Sequence, residues 1–125
     1  MKKRYRILAK VFNKQHFCIG AATNSYTKSH PLQKHFAKLA EQPNKIYLHA
    51  EILALIRASA NPNAKIHSIE IEQWDMNGYK DAKPCPICIE AIIAFGIKTV
   101  NYTTKNGWVY GKTPQELKDE YSKSK

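Results

Sequence analysis

The chain has 125 residues, 43% hydrophobic and 24% charged, with 20 Lys and Arg against 10 Asp and Glu, so its formal net charge is +10. That length and apolar content suit one domain over residues 1–125 with a real core, and exclude collagen-like, disulfide-scaffold and disordered chains. No apolar run approaches the ~20 residues of a membrane span, and the basic Met1–Arg4 start leads into alternating rather than continuous apolar residues, so the expectation is a cytoplasmic protein with no membrane partner.

Tyr5 to Phe12 alternates with period two, Asn13-Lys14-Gln15 is a turn, and His16 to Thr23 alternates again. This predicts a β-hairpin. A loop over Asn24–Pro31 precedes a short helix over Leu32–Ala40, and Gln42-Pro43-Asn44 breaks the chain. His49 to Ala60 is rich in Ala and Leu and apolar on most faces, which predicts a buried central helix ended by Asn61-Pro62-Asn63. Ile66–Glu72 reads as a strand and Gln73–Lys83 as a polar loop with an Asn77-Gly78 turn. Pro84 is expected to open a second helix running through Phe95, capped by Gly96. Strands over Ile97–Thr103 and Trp108–Tyr110 follow. The short connection between them forces an antiparallel pair, since a parallel crossover needs about a dozen residues. Thr113-Pro114-Gln115-Glu116 is a capping box that starts a last helix.

No acidic residue precedes Glu41, whereas Lys2, Lys3, Arg4, Arg6, Lys10, Lys14, Lys28, Lys34 and Lys38 do. A cationic N-terminal third predicts an anionic partner, with phosphate the commonest. The three cysteines are Cys18, Cys85 and Cys88. An odd count with a Cys-x-x-Cys pair is a poor disulfide framework and a good metal or redox signature. Cys18, in an apolar strand, reads as core filler.

His49, Cys85 and Cys88 offer one imidazole and two thiolates, three donors of the softness zinc takes, with a fourth tetrahedral position left open as a catalytic zinc requires. Glu51 follows His49 by two residues. There it need not be a ligand, and it can pass a proton from an activated water to a leaving amine. A thiol redox pair would give no reason for His49-Ala50-Glu51. A structural site closed by His30, His35 or His67 would leave Glu51 unexplained.

His49-Ala50-Glu51 followed by Pro84-Cys85-Pro86-Ile87-Cys88 resembles the zinc-dependent cytidine and deoxycytidylate deaminase-like superfamily, whose His-x-Glu and Pro-Cys-x-x-Cys signature serves hydrolytic nucleobase deamination. The resemblance implies a three-layer α/β fold with a five-stranded mixed sheet, its last two strands antiparallel, and packed helices. It implies Zn2+ on His49, Cys85 and Cys88, Glu51 as proton shuttle and the Ala50 amide near the pyrimidine carbonyl. Asn24 stands where family members place an asparagine against the sugar or base. Tyr26 stands where free-nucleoside enzymes tend to carry a carboxylate, and Lys28 is the candidate for a 5′-phosphate. The family's long N-terminal helix is reduced here, so residues 32–40 or 114–121 are expected to shield the sheet instead.

The function implied is conversion of cytosine to uracil in a small nucleoside or nucleotide. The alternative is a deaminase of cytosine or adenine in single-stranded DNA or RNA, with Tyr26, Trp74, Trp108 and Tyr110 as stacking platforms on a cationic surface. Relatives of this kind are often dimers or tetramers, so a homo-oligomer is within expectation.

Overall fold

The N-terminal alternation forms the expected hairpin, with β1 (Arg6–Asn13) antiparallel to β2 (Cys18–Thr23). A computed structural model of the chain describes residues 6–24, 30–41, 49–61 and 65–123. Within it, α1 (Pro31–Leu39), α2 (Ala50–Ser59), β3 (Ile66–Asp75), β4 (Gly78–Lys80), α3 (Pro86–Ala94), β5 (Thr99–Thr104), β6 (Gly107–Lys112) and α4 (Pro114–Lys123) follow in order.

The strands lie in the order β2-β1-β3-β5-β6. Among the described residues only β3 and β5 run parallel, joined by the α3 crossover, and β5 and β6 pair antiparallel as expected. The sheet has a sixth strand that the sequence reading assigned to a loop. β3 continues to Asp75 and turns back into β4, with Trp74 opposite Tyr79. Asp75 Oδ1 accepts from Asn77 N–H at 2.8 Å, and Gly78 takes φ 113°, which closes the turn without strain.

Alternation along the strands sorts the two faces. Ala9, Val11, Ile69, Ile71, Val100 and Tyr102 are buried beneath the helices. Next to them in sequence, Lys10, Glu70, Glu72 and Asn101 are only half-buried. α2 packs on β1 and β2 and lies unusually close to β2. A Cβ built on Gly20 would stand 2.6 Å from Ala54 O and 2.7 Å from Ala58 N. Arg57 Nη1 donates to Ala21 O at 2.8 Å and ties the same pair of elements. α1 and α4 both pack against α3, contributing buried Phe36 and Leu117. No helix among the described residues is long and apolar enough to cross a membrane.

Three local expectations need revision. Cys18 is exposed rather than core filler, because β2 is an edge strand and the register shifts where Cys18 meets Phe12. His30, read as a loop residue, caps α1 by accepting from Leu32 N–H on Nδ1 at 3.0 Å. Pro84 does not open α3, which starts at Pro86 with Cys85 as its N-cap. The reason is local, since a residue preceding proline is pushed out of the helical region, and Cys85 sits at ψ 166°. At α4 the capping box forms as read, with Glu116 N–H donating to Thr113 Oγ1 and Thr113 N–H to Glu116 Oε1, each at 3.1 Å.

Candidate metal centre

α2 and α3 present their N-terminal ends to one point. His49 is the N-cap of α2 and Cys85 the N-cap of α3, with Cys88 one turn into α3. His49 Nδ1 lies 3.2 Å from Cys88 Sγ and 3.5 Å from Cys85 Sγ. All three donor atoms fall within 4.8 Å of one another, and among the described residues no fourth His, Cys, Asp or Glu joins them. A tetrahedral zinc with Zn–S of about 2.3 Å and Zn–N of about 2.0–2.1 Å separates its donors by roughly 3.5–3.8 Å. The donor set fits Zn2+ in chemistry, and the two imidazole–thiol distances lie within a few tenths of an ångström of that spacing.

The thiols carry unequal proton affinities. The hydrogen bond from Cys88 holds Cys85 down to about 4, burial opposes it, and His49 lowers it further. Burial first, then the proton shared with Cys85 and the charge of Glu51, push Cys88 well above the usual thiol range. Without metal the pair therefore carries one proton, which a divalent cation must expel. Apparent zinc affinity is then expected to rise about tenfold per pH unit between about pH 6 and 8. Competition with a chromophoric chelator measures it, and an affinity that ignores pH would contradict this reading of the pair.

Beside the donors lies a cavity of about 190 Å³ between the helix ends and the sheet. Glu51 and Ala50 of α2, Asn24 at the end of β2, and Ile7, Ile71 and Gln73 of the adjoining strands line it, with Asp81, Ala82 and Lys83 from the loop before α3. Glu51 is buried, 6% exposed. Burial above all raises its pKa, the charge of Cys85 adds to this, and the Cys88 hydrogen bond and His49 pull it partly back. A carboxyl group whose burial favours its protonated form can hold a proton and pass it on. Ala50, fully buried, stands in the first turn of α2, where backbone N–H groups lack intrahelical partners. Asn24 Oδ1 accepts from Ile7 N–H at 3.1 Å, and the main chain of Asn24 donates to Ile7 O at 3.2 Å. Its amide NH2 is the group left to offer the cavity. A larger groove of about 510 Å³ between α1, α3 and α4 holds none of these residues.

Six of the eight site residues read from the sequence meet here. Tyr26 and Lys28 lie outside the described residues. Sequence reasoning missed Gln73, which faces the cavity from β3 beside Ile7, and Gln33. The Gln33 side chain is fully buried, and its Oε1 accepts from His49 N–H at 3.1 Å. A polar residue at a core-facing position of α1 was the one available signal, because its partner is 16 residues away.

Residues 1–104 match the family model described as the cytidine and deoxycytidylate deaminase zinc-binding region. A search of curated proteins returned no match. The matched span holds His49, Glu51, Cys85 and Cys88 and ends at the last residue of β5. It covers most of the chain, and the protein belongs to the zinc-binding cytidine and deoxycytidylate deaminase family.

Proposed function

We propose that this protein hydrolytically deaminates cytosine to uracil in a small pyrimidine nucleoside or nucleotide, of the cytidine, deoxycytidine or dCMP kind. The observation that carries the reading is the buried Glu51 carboxyl beside a three-donor zinc site in one small cavity. About 190 Å³ is below the roughly 300–1,000 Å³ of drug-sized ligand sites and suits a single base.

Zinc held by His49, Cys85 and Cys88 supplies the Lewis acidity that makes water nucleophilic at neutral pH. Glu51 accepts a proton from the attacking water and delivers it to ring N3. It then carries the second proton to the departing amino group, so cytosine and water become uracil and ammonia. The Ala50 N–H donates to the pyrimidine carbonyl, and the Asn24 amide donates to sugar or base. Lys28 is the candidate for a 5′-phosphate.

The polynucleotide reading draws on a stacked pair, Trp108 and Tyr110, with centroids 5.8 Å apart, and on Tyr79 edge-on to Trp108 at 6.2 Å. Strand alternation puts Trp74 opposite in direction to Gln73, and Trp108 and Tyr110 opposite to Val109, which packs on the core. These rings therefore occupy the sheet face away from the cavity, which favours the small substrate.

A mixture of cytidine, deoxycytidine, CMP, dCMP and a cytosine-bearing single-stranded oligonucleotide, scored by mass spectrometry for conversion to uracil, tests the proposal. Conversion of a monomer with the oligonucleotide untouched is the expected result. Conversion of the oligonucleotide alone would overturn it.

A further inference from the structure

We propose that α4 positions the zinc-binding loop, with Tyr121 as the residue that fixes the Pro84–Cys85 peptide and so aims Cys85 Sγ at the metal. The inference rests on the zinc reading of the site and on no particular substrate.

Cys85 stands between two prolines. The ring of Pro84 locks its own φ, and Pro86 confines Cys85 to the extended region, where it lies at φ −71° and ψ 166°. The intervening peptide unit is planar. The soft dihedral left just upstream of Cys85 is ψ of Pro84, and that rotation also sets the direction of the Pro84 carbonyl. Tyr121 Oη donates to this carbonyl at 2.9 Å from 37 residues away.

The hydroxyl is itself braced. Lys83 Nζ lies 4.7 Å from the centre of the Tyr121 ring and 3.2 Å from Glu120 Oε2. Lys112 Nζ holds the other Glu120 oxygen at 3.4 Å, and Leu117, one turn back, is fully buried. α4 lies beyond residues 1–104 that match the family model, so this clamp is built from chain outside the matched region. A structural contact alone would explain the packing of Leu117. It would not explain a hydroxyl spent on a carbonyl whose rotation moves a metal ligand.

The test is Tyr121→Phe, which removes the hydroxyl and keeps the ring beneath Lys83. Zinc affinity is measured by chelator competition, the thiolate-to-metal absorption of the cobalt-loaded protein is recorded, and the metal-free protein is melted. Loss of an outer contact to a ligand typically weakens metal binding about 10–100-fold. We expect a fall in that range, a changed cobalt spectrum and a metal-free melt within a few degrees of the parent. Zinc affinity within about twofold of the parent, or affinity and metal-free melt falling together, would overturn the proposal. Should Tyr121→Phe fail to fold, the half-buried Glu120→Gln carries the test, because it loosens the brace and leaves the hydroxyl. A several-fold weaker zinc affinity supports positioning, and an unchanged one refutes it. Normal metal affinities in a protein that deaminates nothing would count against the proposed reaction, not against this clamp.

Discussion

Glu51→Gln is expected to lower kcat by roughly 10³-fold or more while zinc stays bound at one per chain. The loss belongs to the upper part of the range for a general acid–base group, because Glu51 is asked to move two protons in one cycle. Zinc survives because the donor set is His49, Cys85 and Cys88, without the carboxylate. The metal-free protein should melt no lower than its parent. Burial raises the Glu51 pKa above its unfolded value, so the folded state favours the protonated form. The ionised group then costs stability as pH rises past the ordinary carboxylate range, and the neutral amide removes that cost. Metal analysis, steady-state kinetics and melting of the same variant check all three. Retained turnover would remove Glu51 from the mechanism, and lost zinc would make it a structural partner of the ligands.

Gly20→Ala is expected to destabilise the protein by about 3 kcal/mol, at the top of the overpacking range, and to lower Tm by roughly 10 °C. The atoms that the new methyl meets, Ala54 O at 2.6 Å and Ala58 N at 2.7 Å, are backbone of α2 and cannot swing aside. Relief requires α2 to lift from β2, which would carry His49 and Glu51 with it, so zinc affinity should fall as well. Thr23→Ala, at an exposed position of the same strand, should stay within about 0.5 kcal/mol. Thermal melts of the two variants decide the matter, and equal melting temperatures would mean that the sheet absorbs the methyl elsewhere.

The metal site was legible because its residues are chemically specific and lie in two short segments. His49-Ala50-Glu51 and Cys85-Cys88 each sit at a helix start, and the fold needs only to bring two N-termini together. The hairpin and the α4 capping box were legible for the same reason, since period and cap chemistry are local. What depends on long-range geometry was not. Gln33 reaches His49 across 16 residues and Tyr121 reaches Pro84 across 37, and no local pattern marks either pairing. β4 was hidden because Gln73 to Lys80 looks polar, although Trp74 and Tyr79 face each other across it. Cys18 misled because residue type predicts burial only when the strand is interior, and β2 is an edge. The start of α3 turned on which of two prolines occupies the first helical position. Pro84 and Pro86 both qualify by residue type, and the extended backbone of Cys85 settles it.

The most direct measurement is product analysis in heavy-oxygen water, using zinc-loaded protein and the monomer that it converts best. A hydrolytic deaminase with Glu51 as shuttle places one heavy oxygen at C4 of the uracil product and releases one ammonia per product. The reaction should disappear when a chelator strips the metal and return when zinc is restored. No conversion of any cytosine monomer by protein carrying one zinc per chain, or a product without the heavy label, would contradict it.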